Sequence, residues 1–234
     1  MLLLPGLLVI VLILGSVFIG IGIGQARNTG GQTQTIRTTT PSPDQLYRQI
    51  TAQTPAIVDS LLNGSSSLWS VDERSFSGCE LATDGLHVHL IEQQNLFSCT
   101  SGRGRFSNFA FQIDMRILTG DGGGIMFRGD TQAGNYYYIN VSSDGVWRIF
   151  LRQKDQIAAE LAEGTAVSSY RSGWQKKNTL TLIAQGTQIY FYINQKFATT
   201  VQDSTYTEGD LGVLAYETTV QANVVYTNAR IWRL

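Results

Sequence analysis

Residues 106–118 read FSNFAFQIDMRIL, and every second side chain from Phe109 to Ile117 is apolar. In an extended chain successive side chains point to opposite sides, so Phe109, Phe111, Ile113, Met115 and Ile117 share one face. Gln112, Asp114 and Arg116 fall on the other. A helix would scatter the apolar set around its axis, so the period of two predicts a half-buried β-strand. Working outward, the same grammar recurs. GVWRIFLRQ (145–153) follows a Ser-Asp-Gly turn, and Asp144-Gly145 reads as a hairpin connection. NTLTLIAQGTQIYFYINQKFATTV (178–201) holds two or three strands turning at Gln185-Gly186 and Asn194-Gln195, and LGVLAYET (211–218) and VQANVVYTNARIWRL (220–234) end the chain. On the order of a dozen short strands at regular spacing predict an all-β, antiparallel sandwich or barrel. No repeat of fixed period is present, which argues against a propeller or solenoid.

Composition agrees. The 234 residues include 24 Gly, ten Tyr and ten Phe, with recurrent Thr. β-branched and aromatic side chains fit a pleated surface and Gly supplies tight turns. Only 15% of residues are charged and the formal net charge is -1, which excludes a basic nucleic-acid surface and an acidic tail.

The N-terminal part differs. Residues 2–24, LLLPGLLVIVLILGSVFIGIGIG, contain no charged side chain and are long enough to cross a hydrocarbon core of ~30 Å as a helix. They read as an uncleaved transmembrane anchor, with a cleavable signal segment as the alternative, since Gly24-Gln25-Ala26 offers small residues for cleavage. The run exceeds the ~7–15 residues of an ordinary signal core, which favours the anchor. No Lys or Arg precedes it while Arg27 and Arg37 follow, so charge alone would place the domain in the cytoplasm. The secreted character of the β domain and its cysteine pair point the other way, to a membrane-anchored, extracytoplasmic domain, or a secreted one after cleavage. Residues 25–43 are a polar Thr/Gln/Pro spacer with too little apolar surface to fold. Residues 44–62 read as a short helical lead-in of one or two turns, broken by Pro55. The β domain is expected over 63–234.

The only cysteines, Cys79 and Cys99, flank a strand containing His87 and His89. In an exported chain an even pair is expected to be bonded; in the cytoplasm it would stay reduced. A zinc site from these four residues is not expected, because Cys-x7-His-x-His-x9-Cys is not a zinc spacing and bonded Cys cannot ligate.

The segments DGLHVHL, FSNFAFQIDMRILTGDGGGIMFR, NYYYINVSSDGVW, NTLTLIAQGTQIYFYINQKF, VQDSTYTEGDLGVLA and NARIW resemble laminin-G-like domains of the concanavalin A-like lectin/glucanase superfamily. They are most similar to its bacterial branch of 3-keto-disaccharide hydrolase-like domains. The resemblance spans Asp59 to Leu234. It implies a jelly roll of two antiparallel sheets whose concave face binds sugar in carbohydrate-active members. One such fold hosts many tasks, so it specifies architecture better than function.

Glycoside hydrolysis needs two carboxylates facing one cleft. Retaining glucanases of the superfamily carry Glu-x-Asp-x-Glu, and this sequence lacks it. The nearest approach, Asp114 between Gln112 and Arg116, would be held ionised by the arginine and so suits a general acid poorly. No Gly-x-Ser-x-Gly is present. No catalytic residue is assigned, and recognition without catalysis is the expected role. A glycoside-acting hydrolase of the 3-keto-disaccharide type and a structural or protein-binding module on a stalk are the alternatives.

Sorting side chains by alternation gives a candidate ligand face. With Ile125, Phe127, Tyr137, Ile139, Val141, Trp147, Ile149 and Leu151 inward, the outward set is Asp114, Arg116, Arg128, Tyr136, Tyr138, Asn140, Arg148 and Arg152. Aromatic rings beside placed donors and acceptors suit a carbohydrate or cell-envelope glycan. The competing account is a wet sheet face steadied by cross-strand pairs. No cofactor is expected. Calcium at a loop edge would draw on Asp121 or Asp130, and isolated aspartates fall short of its six to eight oxygens. In Arg128-Gly129-Asp130, Arg128 is read as a strand residue and the other two as the turn. The glycine run Gly122–Gly124 has no following Lys-Ser/Thr and leads into a strand, so it is not a phosphate cradle.

Overall fold

The structure, a computed structural model, describes residues 40–63, 69, 72–73, 77–91, 96–102, 104–218 and 221–234. The apolar segment 2–24 and most of the 25–43 spacer lie outside the described residues. Among the described residues no helix is long and apolar enough to cross a membrane.

One helix and fifteen strands make up the described chain: α1 Pro43–Thr51, β1 Ile57–Asp59, β2 Asp72–Glu73, β3 Ser77–Ala82, β4 Gly85–Leu90, β5 Leu96–Thr100, β6 Phe109–Thr119, β7 Gly122–Asp130, β8 Asn135–Ser142, β9 Trp147–Gln153, β10 Gln156–Gly164, β11 Lys177–Gln185, β12 Gln188–Ile193, β13 Lys196–Gln202, β14 Leu211–Tyr216 and β15 Ala222–Arg233. They form two antiparallel sheets. The larger has nine strands in the order β13-β12-β11-β6-β15-β4-β3-β2, with β1 also on β15; the smaller has six in the order β10-β9-β8-β7-β14-β5. This is the antiparallel sandwich, of the two alternatives that the alternation predicts, in the two-sheet jelly-roll-like form that the resemblance implies. Phe109, Phe111, Ile113, Met115 and Ile117 of β6 enter one core with Ile125, Phe127, Tyr137, Ile139 and Ile149 of the six-stranded sheet.

Two features tie the sheets together. Cys79 of β3 and Cys99 of β5 are bonded across the sandwich, their Cα atoms 5.9 Å apart. The Tyr226 side chain of β15 reaches the backbone of β7 and β14 on the facing sheet. The hairpin turns fall where read: Gly145, Gly186, Asn194 and Gln195 all take positive φ, as tight antiparallel connections demand.

The lead-in departs from expectation in its second half. α1 is capped as its sequence dictates: Gln45 N–H donates to Ser42 Oγ, Ser42 N–H donates to Gln45 Oε1, and Pro43 occupies the first turn. Its Tyr47 and Ile50 cover Ala110, Ile183, Tyr192 and Trp232 on the outer side of the nine-stranded sheet. Residues 57–59, expected to be helical, instead form β1 and pair with Ala229–Ile231 of β15. Pro55 ends the helical preference, and the β-branched Ile57-Val58 that follow complete a ladder that β15 leaves open.

The sandwich has two distinct ends. The upper one carries the Gly120-Asp121 link, the Ser143–Gly145 turn, the 165–176 loop and Asn194-Gln195. The lower one carries the Thr131–Gly134 turn, Lys154-Asp155, Gly186-Thr187 and the 203–210 loop. α1 starts at the upper end, where Tyr192 Oη donates to Pro43 O at 2.8 Å, and finishes at the lower, where Trp232 Nε1 donates to Gln53 O at 2.9 Å.

Candidate functional site

The eight residues expected to share one sheet face divide into three groups. Tyr136, Tyr138, Asn140, Arg148 and Arg152 do lie together on the outer face of the six-stranded sheet: Tyr136 pairs with Arg152, Tyr138 with Phe150 and Asn140 with Arg148.

Asp114 and Arg116 belong to β6, on the outer face of the other sheet, across the whole thickness of the core. Local alternation fixes which side of its own sheet a residue takes but not which sheet, and that is why the grouping fails. Asp114 accepts from Thr179 Oγ1 at 2.5 Å, Asn228 Nδ2 at 2.9 Å and Lys177 Nζ at 3.1 Å. Burial works against its charge, and these three donors outweigh it, holding the carboxyl below the usual carboxylate range. Lys177, rather than Arg116, is its ionic partner; Arg116 pairs with Asp84 at 2.8 Å, and Asp84 also lies 2.8 Å from His87 Nε2.

Arg128 is off the face altogether. A bulge between Phe127 and Asp130 gives it φ 47° and turns its side chain inward, leaving it 1% exposed. Its guanidinium donates to Ser107 O at 2.6 and 2.9 Å and to Gly186 O at 2.8 Å, tying three lower-end segments together. Burial pulls its pKa down.

The outer face itself is floored by an apolar cluster of Met126, Tyr136, Tyr138, Phe150 and Leu214. Tyr138 stacks on Phe150 with ring centroids 4.9 Å apart, and Tyr136 is tilted against Tyr138 at 6.2 Å. The tyrosines are therefore packed floor rather than free-standing platforms. Three positions between them and β5, at Gly122, Gly124 and Gly212, carry no side chain. A Cβ on Gly124 would meet Ile139 O at 1.8 Å and one on Gly122 the Tyr216 ring at 2.4 Å. The glycines so let neighbouring backbone, the Tyr216 ring and the end of the Met126 side chain close in on this face.

A groove of about 500 Å³ lies between β5 and the lower-end turns. One wall is β5, from Leu96 to Thr100, backed by the Cys79–Cys99 bond; the other is Thr131, Gln132, Tyr136, Arg152 and Asp155. Arg152 lies with its guanidinium 5.7 Å from the Tyr136 ring centre, donates from Nη2 to Asp155 O at 2.8 Å, and keeps a buried Nε without a hydrogen-bond partner. Farther along the face Arg148 stands between Glu163 at 3.3 Å and Glu160 at 3.9 Å. Burial pushes the Tyr138 and Tyr216 phenols up to about 12 and raises Tyr136, so all three remain neutral donors at physiological pH. The face thus offers apolar ring surface with guanidinium, carboxylate, amide and hydroxyl groups around it, and nearly balanced charge.

Sequence reading missed the groove's β5 wall, Thr131, Gln132, Asp155, Glu160 and Glu163. β5 shows no clean alternation, and turn residues carry no facing signal. The position of Cys99 inside LFSC could have placed β5 beside the core. The loop aspartates considered for calcium accept from protein donors: Asp121 Oδ2 from Thr218 N–H and Oγ1, and Asp130 Oδ1, in its turn, from the N–H groups of Gln132 and Ala133. Among the described residues no group of three or more His, Cys, Asp or Glu side chains could hold a metal ion.

The described chain is thus a two-sheet, jelly-roll-like sandwich with a groove beside its six-stranded sheet. The chain belongs to the 3-keto-alpha-glucoside-1,2-lyase-like domain family, whose model matches residues 58–231. It is 28% identical over 116 residues to the levanase of Bacillus subtilis (strain 168), a match covering 48% of this chain and 16% of the levanase. Its fold is similar to the carbohydrate-binding module CBM66 from Bacillus subtilis, with a TM-score of 0.59 at 21% identity over 71% of this chain and 97% of that one. It is also similar to the exoplasmic/lumenal domain of VIP36 in its Ca²⁺/Man-bound form, with a TM-score of 0.56 at 14% identity over 75% and 90% of the two chains.

Proposed function

We propose that the domain recognises a carbohydrate or cell-envelope glycan, without transforming it, in the groove on the outer face of the six-stranded sheet. The observation that carries this reading is the pairing of Tyr136 with Arg152 at the groove wall, where an aromatic ring adjoins a guanidinium that is itself met by Asp155. Sugars present both needs, an apolar C–H face and a ring of hydroxyls. The groove's volume falls within the roughly 300–1,000 Å³ of small-ligand sites. Arg148 and Arg152 are met by Glu160, Glu163 and Asp155, which favours a neutral glycan over a polyanion. The relatives support the ligand class: one is a levanase, one a carbohydrate-binding module, and one was crystallised with mannose.

The domain is read as extracytoplasmic and tethered through residues 2–24. The bonded Cys79–Cys99 pair supports an oxidising compartment. Protease shaving of intact cells tests this placement, since a cytoplasmic domain would survive it.

Titration of the detergent-solubilised full chain against a glycan panel, including levan and mannose oligosaccharides, tests recognition. Tyr136→Ala and Arg152→Ala should each weaken binding at least tenfold, a loss of about 1.4 kcal/mol, while urea midpoints confirm the variants fold. Binding unchanged in both would defeat the groove assignment. The family match favours a second reading, lyase or hydrolase action on a 3-keto-α-glucoside. Breakdown of such a substrate by the wild-type chain, lost on Tyr136→Ala, would replace recognition by catalysis.

A further inference from the structure

Tyr136 and Arg152 occupy the lower half of the outer face of the six-stranded sheet, and its upper half holds polar groups that the groove does not use. Asn140 and Arg148 pair across β8 and β9 on that half, beside the Ser143–Gly145 turn, and both are half-buried. Among the described residues the Asn140 amide makes no hydrogen bond. The Arg148 guanidinium makes one, from Nε to Glu163 at 3.3 Å, and its two terminal nitrogens make none. Glu160, at 3.9 Å, is too far for a hydrogen bond. A guanidinium donates in a fixed fork and an amide both donates and accepts, so the pair presents donors and an acceptor side by side.

An aromatic ring stands next to them. Tyr216 of β14 is half-buried and pairs with Gly122, which pairs in turn with Ser142 of β8. A Cβ on Gly122 would meet the Tyr216 ring at 2.4 Å, so the glycine lets the ring lie over β7. Burial raises the Tyr216 phenol to about 12, and Ser142, Asp121, Asp144 and Arg148 all act on it, which places Arg148 in reach of the ring. On its other side Tyr216 pairs with Leu96, a groove-wall residue, so the upper ring continues the groove along β5.

The face thus repeats one set of groups, Tyr136 with Arg152 below and Tyr216 with Arg148 above. From Tyr136 to Asn140 along β8 the distance is about 13 Å, at roughly 3.3 Å per residue. Between the two sets Tyr138 stacks on Phe150, the pair 5% and 8% exposed, and supplies an apolar floor.

We propose that Asn140, Arg148 and Tyr216 form a second subsite, and that the ligand is a neutral, linear glycan chain lying from Arg152 to Arg148. The inference rests on the reading of the groove as a sugar site. A single sugar covers one set only, whereas ~13 Å is the reach of roughly three linked rings. Asp155 flanks Arg152, and Glu160, Glu163 and Asp144 flank Arg148, so a polyanion meets carboxylates at both ends. Sugar hydroxyls suit that mixture, because each can donate to a carboxylate and accept from a guanidinium. A chain already held at one set reaches the other without a second loss of translational freedom, so affinity rises once the chain spans both.

Calorimetric titration of the detergent-solubilised full chain with levan and mannose oligosaccharides of two to six residues tests the span. In the series that binds, Kd should fall at least tenfold between the disaccharide and the tetrasaccharide and change less than twofold beyond. Asn140→Ala and Arg148→Gln should each remove most of that gain while leaving the disaccharide Kd within twofold of wild type. Urea midpoints check folding, and Asn140→Ala, which deletes an amide bonded to nothing, carries the test if Arg148→Gln does not fold. Equal Kd at every length, or a gain that survives both substitutions, overturns the second subsite and leaves the groove reading intact. No binding at any length, or binding that Tyr136→Ala and Arg152→Ala do not weaken, overturns the groove reading and the second subsite with it.

Discussion

Tyr226 Oη crosses the sandwich to the backbone of Gly124, accepting its N–H at 2.7 Å and donating to Leu214 O at 2.5 Å. The hydroxyl is fully buried, and burial drives its pKa far above the ordinary range, so it stays protonated. Room for it exists because the neighbouring residue is glycine: a Cβ on Gly123 would sit 2.4 Å from the oxygen. The glycine run therefore serves both faces of β7, admitting a tyrosine on the core side at Gly123 and letting the Tyr216 ring and the β8 backbone close in at Gly122 and Gly124.

Tyr226→Phe should consequently destabilise the domain by about 1–3 kcal/mol, the cost of leaving buried backbone groups without a partner. Gly123→Ala should destabilise it at least as much, by forcing the same oxygen out of place. Urea denaturation followed by tryptophan emission reads both. A Tyr226→Phe midpoint equal to wild type would mean that the ladder closes without the hydroxyl.

Arg128 makes a separate prediction. Its fork satisfies two backbone carbonyls, Ser107 O and Gly186 O, that are distant in sequence. Arg128→Ala should cost about 3 kcal/mol, and Arg128→Lys should recover less than half, because one ammonium lacks the planar fork. Sugar affinity of the folded fraction should be unchanged, since Arg128 does not line the groove. A variant of wild-type stability that has lost binding would return Arg128 to the site.

Asp114 predicts a pH dependence. Its folded-state pKa lies below the ordinary 3.8 because Thr179, Asn228 and Lys177 outweigh burial. A depressed carboxyl contributes stability in full above its unfolded pKa and loses it as pH falls through the folded value. The stability gap between wild type and Asp114→Asn should thus be widest at neutral pH and close below pH 3.8. A gap constant from pH 7 to pH 2.5 would show that the charge contributes nothing.

What the sequence made legible follows from the range of each signal. Alternation is local, so the inward faces of β6, β7, β8 and β9 and the turns at Gly145, Gly186 and Asn194 could be read directly. Sheet membership is not local. Nothing between Asp114 and Tyr138 says that β6 and β7 part company at Gly120 to join opposite sheets. A bulge breaks alternation outright, which is how Arg128 left the face to which its parity assigned it. The groove wall depended on both kinds of hidden information: an edge strand of weak pattern, and turns whose side chains follow no period.

The disulfide joins stability to the site. Among the described residues β5 is an edge strand that pairs with β14 in its sheet, and Cys99 anchors it to Cys79 on the facing sheet. Closing a loop with a sequence separation of 20 stabilises the fold by about 3 kcal/mol in the chain-entropy model. Cys79→Ala/Cys99→Ala should lose approximately that much in urea, and dithiothreitol should do the same to wild type while leaving the double variant unchanged. Leu96, Ser98 and Thr100 of β5 line the groove, so freeing the strand should also weaken glycan binding under conditions where the variant is still folded. Calorimetric titration at low temperature separates the two effects. If affinity survives while stability falls, β5 is scaffold, and the recognising surface contracts to Tyr136, Arg152 and the turns beside them.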